Sequence, residues 1–152
     1  MQKRISTKND QDLVVFIIGM RINKWWNIKN WWPVFMAMRP MLQELYADKS
    51  TGFLSQDTTL GGRTIVLTQY WESVDQLLDY AHGKTHKEAW IDFYNKSAKS
   101  EAVGIFHETY EVKAGAYESV YSRMSKPRGI LKAREMQTLT EESTAKGRLA
   151  NL

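Results

Sequence analysis

DLVVFIIGMRI, residues 12–22, is the stretch whose reading decides the fold. It is rich in β-branched residues, and its odd positions (Leu13, Val15, Ile17) are as apolar as its even ones (Val14, Phe16, Ile18, Met20). The pattern predicts a strand with both faces withdrawn from water. In a small antiparallel sheet one face ordinarily meets solvent. A strand apolar on both sides therefore calls for helices over one face and a second subunit over the other.

The neighbouring segments supply the rest of the sheet. In NKWWNIKNWWPVFMAMRPMLQELYADKSTG (23–52), Val34, Met38, Met41 and Leu45 recur at helical spacing behind Pro33, a residue suited to a first helical turn. Pro40 lacks a backbone donor and crowds the preceding turn, which predicts a kink or two short helices meeting near Arg39. GFLSQDTTLGGRTIVLTQYW reads as a hairpin, with strands at 52–58 and 63–71 joined around Gly61 and Gly62. Ser73 with Gln76 and Thr85 with Glu88 have the spacing of capping boxes, so two helices follow. The first carries Val74, Leu77, Leu78 and Ala81 and stops near Gly83; the second carries Ala89, Trp90, Phe93 and Tyr94 on one stripe. AVGIFHETYEVKAG (102–115) is the last strand.

Strand–helix–strand twice over is a ferredoxin-like α+β unit, a four-stranded antiparallel sheet with helices on one face. At ~25 cal/mol per Å2 of apolar surface, covering the other face with a twin sheet is strongly favourable. The expected assembly is thus a homodimer of the dimeric α+β barrel kind. The expected domain spans 10–121, followed by a basic tail, 122–152, irregular or draped on the partner subunit.

Composition narrows the function. With 152 residues, 43% hydrophobic and 25% charged, the chain suits one globular domain. No run approaches the ~18–20 apolar residues of a membrane span, and MQKRISTKND has no signal-peptide centre behind it, so the expected location is the cytoplasm. The absence of cysteine removes disulfides, thiolate nucleophiles and cysteine metal ligation. The net charge of +4 belongs to the ends: 122–152 carries seven basic and three acidic residues, 1–10 three and one, and 11–121 eleven and thirteen. Those terminal charges are interspersed with Glu and lack aromatic neighbours, so no nucleic-acid partner is expected.

VVFIIGMRINKWW, TIVLTQYWESVDQLLDYA and VGIFHETYEVKAGAYESVY together resemble a bacterial family grouped by sequence with a domain of the fungal fumagillin-pathway polyketide monooxygenase. The resemblance covers about residues 10–125; His107–Tyr110 (H-E-T-Y) and Gln69–Trp71 (Q-Y-W) are its most specific marks. It implies membership of the dimeric α+β-barrel superfamily, whose relatives include cofactor-free antibiotic-biosynthesis monooxygenases, haem-degrading enzymes, chlorite dismutase-like haem proteins and stress-response barrel proteins. The family pattern has proline before arginine in the first helix, whereas here Arg39 precedes Pro40, which displaces the expected kink by one residue.

His107 and Glu108 are neighbours in a strand, so they point to opposite faces and form no dyad. Ile105, His107, Thr109 and Glu111 share one face; Phe106, Glu108, Tyr110 and Val112 share the other. His107 is the better candidate for chemistry, since an imidazole carries a proton either way near neutrality, whereas Glu108 is expected to pair with a base such as Arg21. The competing reading is a histidine hydrogen-bonded in the core or interface. Tyr70 or Tyr110 would hydrogen-bond a substrate oxygen. Trp71, Trp90, Phe93 and Tyr94 would line an apolar cavity, with Met20, Met38 and Trp32 adding to it, although a helical aromatic stripe also serves as core. The pairs Trp25–Trp26 and Trp31–Trp32 either cap that pocket or pack over the sheet edge or dimer. His82 and His86 have metal-ligand spacing, but Gly83 and the Thr85 cap interrupt it, so no metal site is expected. No dinucleotide, P-loop, zincin or serine-hydrolase motif occurs.

The favoured function is a cofactor-independent monooxygenase-like or isomerase-like enzyme acting on an apolar cyclic molecule between sheet and helices. A non-catalytic dimeric barrel binding a hydrophobic ligand or haem is the alternative. A plain interaction module with a basic tail is the third.

Overall fold

The computed structural model describes residues 4–96 and 100–149; the side chains of Thr85, Tyr94 and Lys96 lie outside that description. The apolar run opens as strand β2 (Leu13–Ile22), after a short strand β1 (Arg4–Thr7). Helix α1 (Ile28–Ala47) leads to β3 (Phe53–Gly61) and β4 (Thr64–Trp71), helices α2 (Val74–Ala81) and α3 (Lys84–Lys96), and β5 (Val103–Val112). These strands form an antiparallel four-stranded sheet in the order β3-β4-β2-β5, which is the ferredoxin-like arrangement read from the sequence.

The first helix departs from expectation. It begins at Ile28, five residues before Pro33, and continues unbroken through Pro40. Each proline leaves a carbonyl one turn earlier, on Lys29 and Met36, without its usual donor, but flanking packing holds the helix together. Leu45 is buried, and Leu42, Val34, Phe35 and Met38 pack onto the sheet. Ser73 caps α2 as expected, its hydroxyl accepting from the Gln76 N–H at 3.2 Å. Helix α3 begins at Lys84, so Thr85 lies inside it; its side chain, expected as a cap, falls outside the described residues.

Apolar burial divides into two clusters on the helix side of the sheet. Val14, Leu45, Phe53, Trp71 and Leu77 make one; Met20, Ile22, Ala102 and Val103 make the other, backed by Trp31, Phe93 and Ile105. Trp71 is fully buried and its indole N–H donates to Gln69 Oε1 at 3.1 Å, which satisfies the one polar atom of a large apolar side chain. On the opposite face, Val15, Ile17 and Val66 are half-buried, and Phe106 and Tyr110 are exposed. Gly19 is the exception that lets Phe106 lie flat: a Cβ there would stand 2.5 Å from the Phe106 ring.

Residues 121–149 run back over their own chain. β6 (Tyr121–Ser122) and β7 (Met136–Thr138) flank β1 in a three-stranded sheet in the order β6-β1-β7. Between them a 3-10 turn, Gly129–Lys132, reaches β3. There Asp57 accepts from the Gly129 N–H, from Lys132 Nζ at 3.2 Å and stands 3.4 Å from Arg128 Nε. A short helix α4 (Ala145–Arg148) ends the described chain, its Arg148 paired with Glu118 at 2.8 Å.

Replacing Trp71 by Ala should cost about 3–5 kcal/mol, a void plus an orphaned Gln69 amide. Ser73→Ala should cost about 1 kcal/mol from the lost cap. Urea unfolding followed by circular dichroism measures both.

Candidate functional site

Cross-strand partners share a face, so the register of β2 places the site. Ile18 stands opposite Leu67 and His107, and Phe16 opposite Gln69 and Thr109. Val14 and Met20 on the same face are buried beneath the helices, so His107 projects from β5 to the helix side. There it borders a cavity of about 200 Å3 floored by Phe16, Ile18, Leu67 and Trp71 and roofed by Leu42, Leu77 and Tyr80. An adjoining cavity of about 90 Å3, bounded by Met20, Val34, Phe93 and Ile105, shares Ile18, Met38, Met41, His86 and Trp90 with the first. The two form one apolar trough lying between the core clusters. Ile18, which belongs to neither cluster, is its midpoint.

His107 occupies the rim of this trough, because β5 is an edge strand. The side chain is exposed rather than shut away from water, with its ring 5.8 Å from that of Phe16. Among the described residues its imidazole makes no hydrogen bond, so it is neither committed to the core nor buried in an interface within one chain. Thr109 stands beside it on the same rim.

Across the trough, on α3, sits a second imidazole. The Trp90 indole N–H donates to His86 Nε2 at 2.9 Å, an i,i+4 pair that leaves the proton of the neutral ring on Nδ1. That Nδ1 is buried and has no hydrogen-bond partner among the described residues. Burial, followed by repulsion from His82, lowers the pKa of His86 from its ordinary 6.5. Two other polar wall groups, Tyr80 and Gln69, are spent on the protein. The Tyr80 hydroxyl donates to the Met41 carbonyl at 3.1 Å and burial pushes its pKa up to about 12. Gln69 is held by Trp71.

The expected wall residues divide accordingly. Trp71, Trp90, Phe93, Met20 and Met38 line the trough. Trp32 does not: it is 49% exposed on α1, in ring contact with Trp31 and Phe35. The side chain of Tyr94 lies outside the described residues. The two tyrosines need correction. Tyr70 and Tyr110 both stand opposite Val15, on the face away from the helices, and so cannot share a ligand with His107 beneath the roof. The Tyr110 hydroxyl instead donates to the Glu108 carboxylate at 2.7 Å, which raises its pKa, and the Tyr70 phenol is raised by burial on the side covered by Gly129. Glu108 thus pairs with Tyr110, while Arg21 donates to Thr64 at 3.4 Å. Among the described residues no group of three or more His, Asp or Glu is placed to hold a metal ion.

His86, Tyr80 and Gln69 were not read as site residues. Only His86 left a usable signal: with Trp90 four residues on and Phe93 beyond, it falls on the apolar stripe of α3 rather than in a metal-binding pair with His82.

Comparison with known proteins places this geometry. The model of the monooxygenase af470-like family matches residues 13–130. The chain is 40% identical over 60 residues to monooxygenase af470 of Aspergillus fumigatus, a match taking in 40% of this chain and 21% of that protein, so the matched part is about a fifth of the fungal relative. Among solved structures it is similar to an aldoxime dehydratase, at 16% identity and a TM-score of 0.66 over 98% of this chain and 43% of that one. A second aldoxime dehydratase, crystallised with butyraldoxime, gives 13% identity and 0.68 over 97% and 42%. These two likenesses are of fold. SnoaB, a cofactor-independent oxygenase from Streptomyces nogalater, aligns at 9% identity and 0.48 over 65% and 91%.

Because His86 is held neutral by burial, folding should weaken on acidification. Above the ordinary value of 6.5 both folded and unfolded forms are neutral, and as pH falls below it the unfolded chain binds the proton first. The stability lost between pH 6.5 and the lower folded pKa should shrink in His86→Phe, as read by urea midpoints across that window.

Proposed function

The chain belongs to the monooxygenase af470-like family, and on that premise we propose a monooxygenase-like enzyme that needs no cofactor and acts on an apolar cyclic small molecule held in the trough. The observation that carries the reading is the placement of His107, an imidazole without a hydrogen bond among the described residues, at the wet rim of a mostly apolar cavity.

The substrate class follows from what such a site can do. An imidazole can take a proton from a carbon flanked by a carbonyl or an aromatic ring, and an apolar cleft holds the planar anion away from competing water. Dioxygen is the oxidant. One electron passes from the carbanion to dioxygen, the radical pair combines to a peroxide, and protonation from His107 with loss of water leaves a carbonyl. The balance is CH2 plus O2 giving C=O plus H2O, with the carbon losing four electrons and dioxygen gaining them. Without oxygen, the same proton returned to another carbon amounts to isomerisation. Trp71 and Trp90 supply flat walls that suit a ring system, and the His86–Trp90 bond keeps the second wall rigid.

The outer sheet face supports a homodimer. Val15, Ile17, Val66, Phe106 and Tyr110 present a sheet surface that a twin would cover, leaving each trough separate under its own helices.

Oxygen uptake with anthrone, a tricyclic ketone with an acidic methylene, tests the chemistry. His107→Ala should lower the rate about 100-fold or more with an unchanged unfolding midpoint, and Tyr110→Phe should leave the rate alone. Undiminished turnover in His107→Ala removes it from the mechanism, and purified protein carrying a Soret band would replace the reading with haem binding. Ile17→Glu should turn a dimer into a monomer in sedimentation velocity, since it puts a charge into the face that the twin would cover.

A further inference from the structure

One end of the molecule displays apolar side chains that neither the trough nor the outer sheet face uses. The loop from β2 to α1, the β3–β4 turn and the start of β5 converge there, because Arg21 stands opposite Thr64 and Ile22 opposite Val103. Trp26 is 77% exposed, Trp25 52%, Ile28 56% and Trp32 49%, and Leu60 at the β3–β4 turn is 73% exposed. Few monomeric surfaces leave such large apolar groups adjacent to one another.

The display is built rather than loose. The Trp25 ring stacks on Trp31 at 5.3 Å, and the Trp31 indole N–H donates to the Trp25 carbonyl at 3.0 Å. Trp31 in turn packs on the cluster of Met20, Ile22 and Val103. Exposed cations lie at the same end: Arg21 at the end of β2 on the outer sheet face, Lys29 in the first turn of α1 and Arg63 in the β3–β4 turn. Lys24, also at this end, donates to the Ser100 carbonyl at 3.2 Å and lies 3.5 Å from Glu101; a second acid, the exposed Asp92, borders the smaller cavity beside Pro33 and Val34.

We propose that this end docks on the surface of a lipid bilayer containing anionic headgroups. Indole rings combine an apolar body with an N–H and settle at the boundary between acyl chains and headgroups, while Lys and Arg meet the negative lipid surface. A bilayer fits the end better than a second copy of the chain does. Helix α1 lies on the helix side of the sheet, so a partner on the outer face leaves Ile28 and Trp32 uncovered. A two-fold contact through this end would also set Arg21, Lys29 and Arg63 against their own images. Docking needs no spanning segment, and among the described residues no helix is long and apolar enough to cross a membrane. Pro33, Val34 and Met38, which border the smaller cavity, follow these tryptophans on α1, so docking brings that side of the trough towards the bilayer. If the trough holds an apolar substrate, a reading that rests on the proposed function, the bilayer is where that substrate dissolves.

The test is co-sedimentation of the full chain with vesicles of phosphatidylcholine alone and of phosphatidylcholine mixed with phosphatidylglycerol. Binding is expected to the mixed vesicles, with a blue shift of tryptophan emission, and should weaken as salt rises. Trp25→Ala/Trp26→Ala should lower the partition coefficient about tenfold or more, and Lys29→Glu should lower it for mixed vesicles, both with unchanged circular dichroism. Absence of binding to the mixed vesicles, or equal binding by the double tryptophan variant, overturns the proposal. So does a double variant that sediments as a smaller particle than the parent, which would make a second copy the occupant. None of these readouts depends on oxygen uptake, so this inference and the catalytic one fail separately.

Discussion

The register of β2 is the constraint on which the structure rests. It is an inner strand, bonded to β4 on one side and β5 on the other, and each residue from Val14 to Arg21 assigns a face to two partners. Ile18 sends Leu67 and His107 beneath the helices; Val15 sends Tyr70 and Tyr110 to the opposite side. A slip of one residue would exchange these sets, taking His107 out of the trough and putting Tyr110 in. What prevents the slip is the unequal quality of the two apolar faces. Val14 and Met20 are all but inaccessible under the helices, with Trp71 locked between Phe53 and Tyr80, whereas on the outer face Leu13 is buried but Val15, Ile17 and Val66 are only half-covered and Phe106 and Tyr110 are exposed. Gly19 strengthens the choice, since only there can Phe106 cross β2 at close range.

The same unevenness explains what was legible in the sequence. Strands β2, β4 and β5 were readable because each carries β-branched and aromatic residues ending at glycine or a polar turn, and the more polar β3, FLSQDTTLG, was readable from the Gly61–Gly62 turn that joins it to β4. The Ser73 cap was readable because its partner Gln76 lies three residues on. That His107 and Tyr110 occupy opposite faces follows from strand alternation alone, and joining them in one site set three-dimensional proximity in sequence above the pleat. Tyr70 carried no such warning, because its face depends on a pairing with Val15 that is more than fifty residues away. Pro33 read as a helix start and Pro40 as a kink, yet α1 runs through both because Leu42, Leu45 and Met38 anchor it to the sheet on either side of Pro40. Local propensity lost to packing.

The small second sheet had no comparable signature. β1 is four residues long, β7 three and β6 two, so none offers the alternation on which strand reading depends. Their pairing joins residues more than a hundred positions apart, and it is fixed by polar contacts: Thr7 with Ser119, Asn9 with the carbonyls of Tyr117 and Arg148, and Asp57 with the Gly129–Lys132 turn. Segment 122–152 read as a basic tail, irregular or draped on the partner subunit, because charge counting cannot tell a free lysine from one held, like Lys132, against the Gln56 carbonyl and Asp57. One result is that β3, an edge strand, is covered along part of its length, while β5 is left bare.

That difference between the two edges bears on the chemistry. A general base must both meet an apolar substrate and return its proton to water. His86 meets only the first need: its Nε2 is tied to Trp90, its Nδ1 is enclosed, and burial resists the charge that a captured proton brings. Its place on an edge strand gives His107 one side in the trough and one side in solvent, so under the proposed function a proton taken from a carbon acid would have somewhere to go. In that proposal the wall histidine supplies shape and rigidity while the rim histidine handles the proton. Division of that kind needs an edge strand whose helix-facing side is roofed but whose margin is open, and β5 is the strand that provides it.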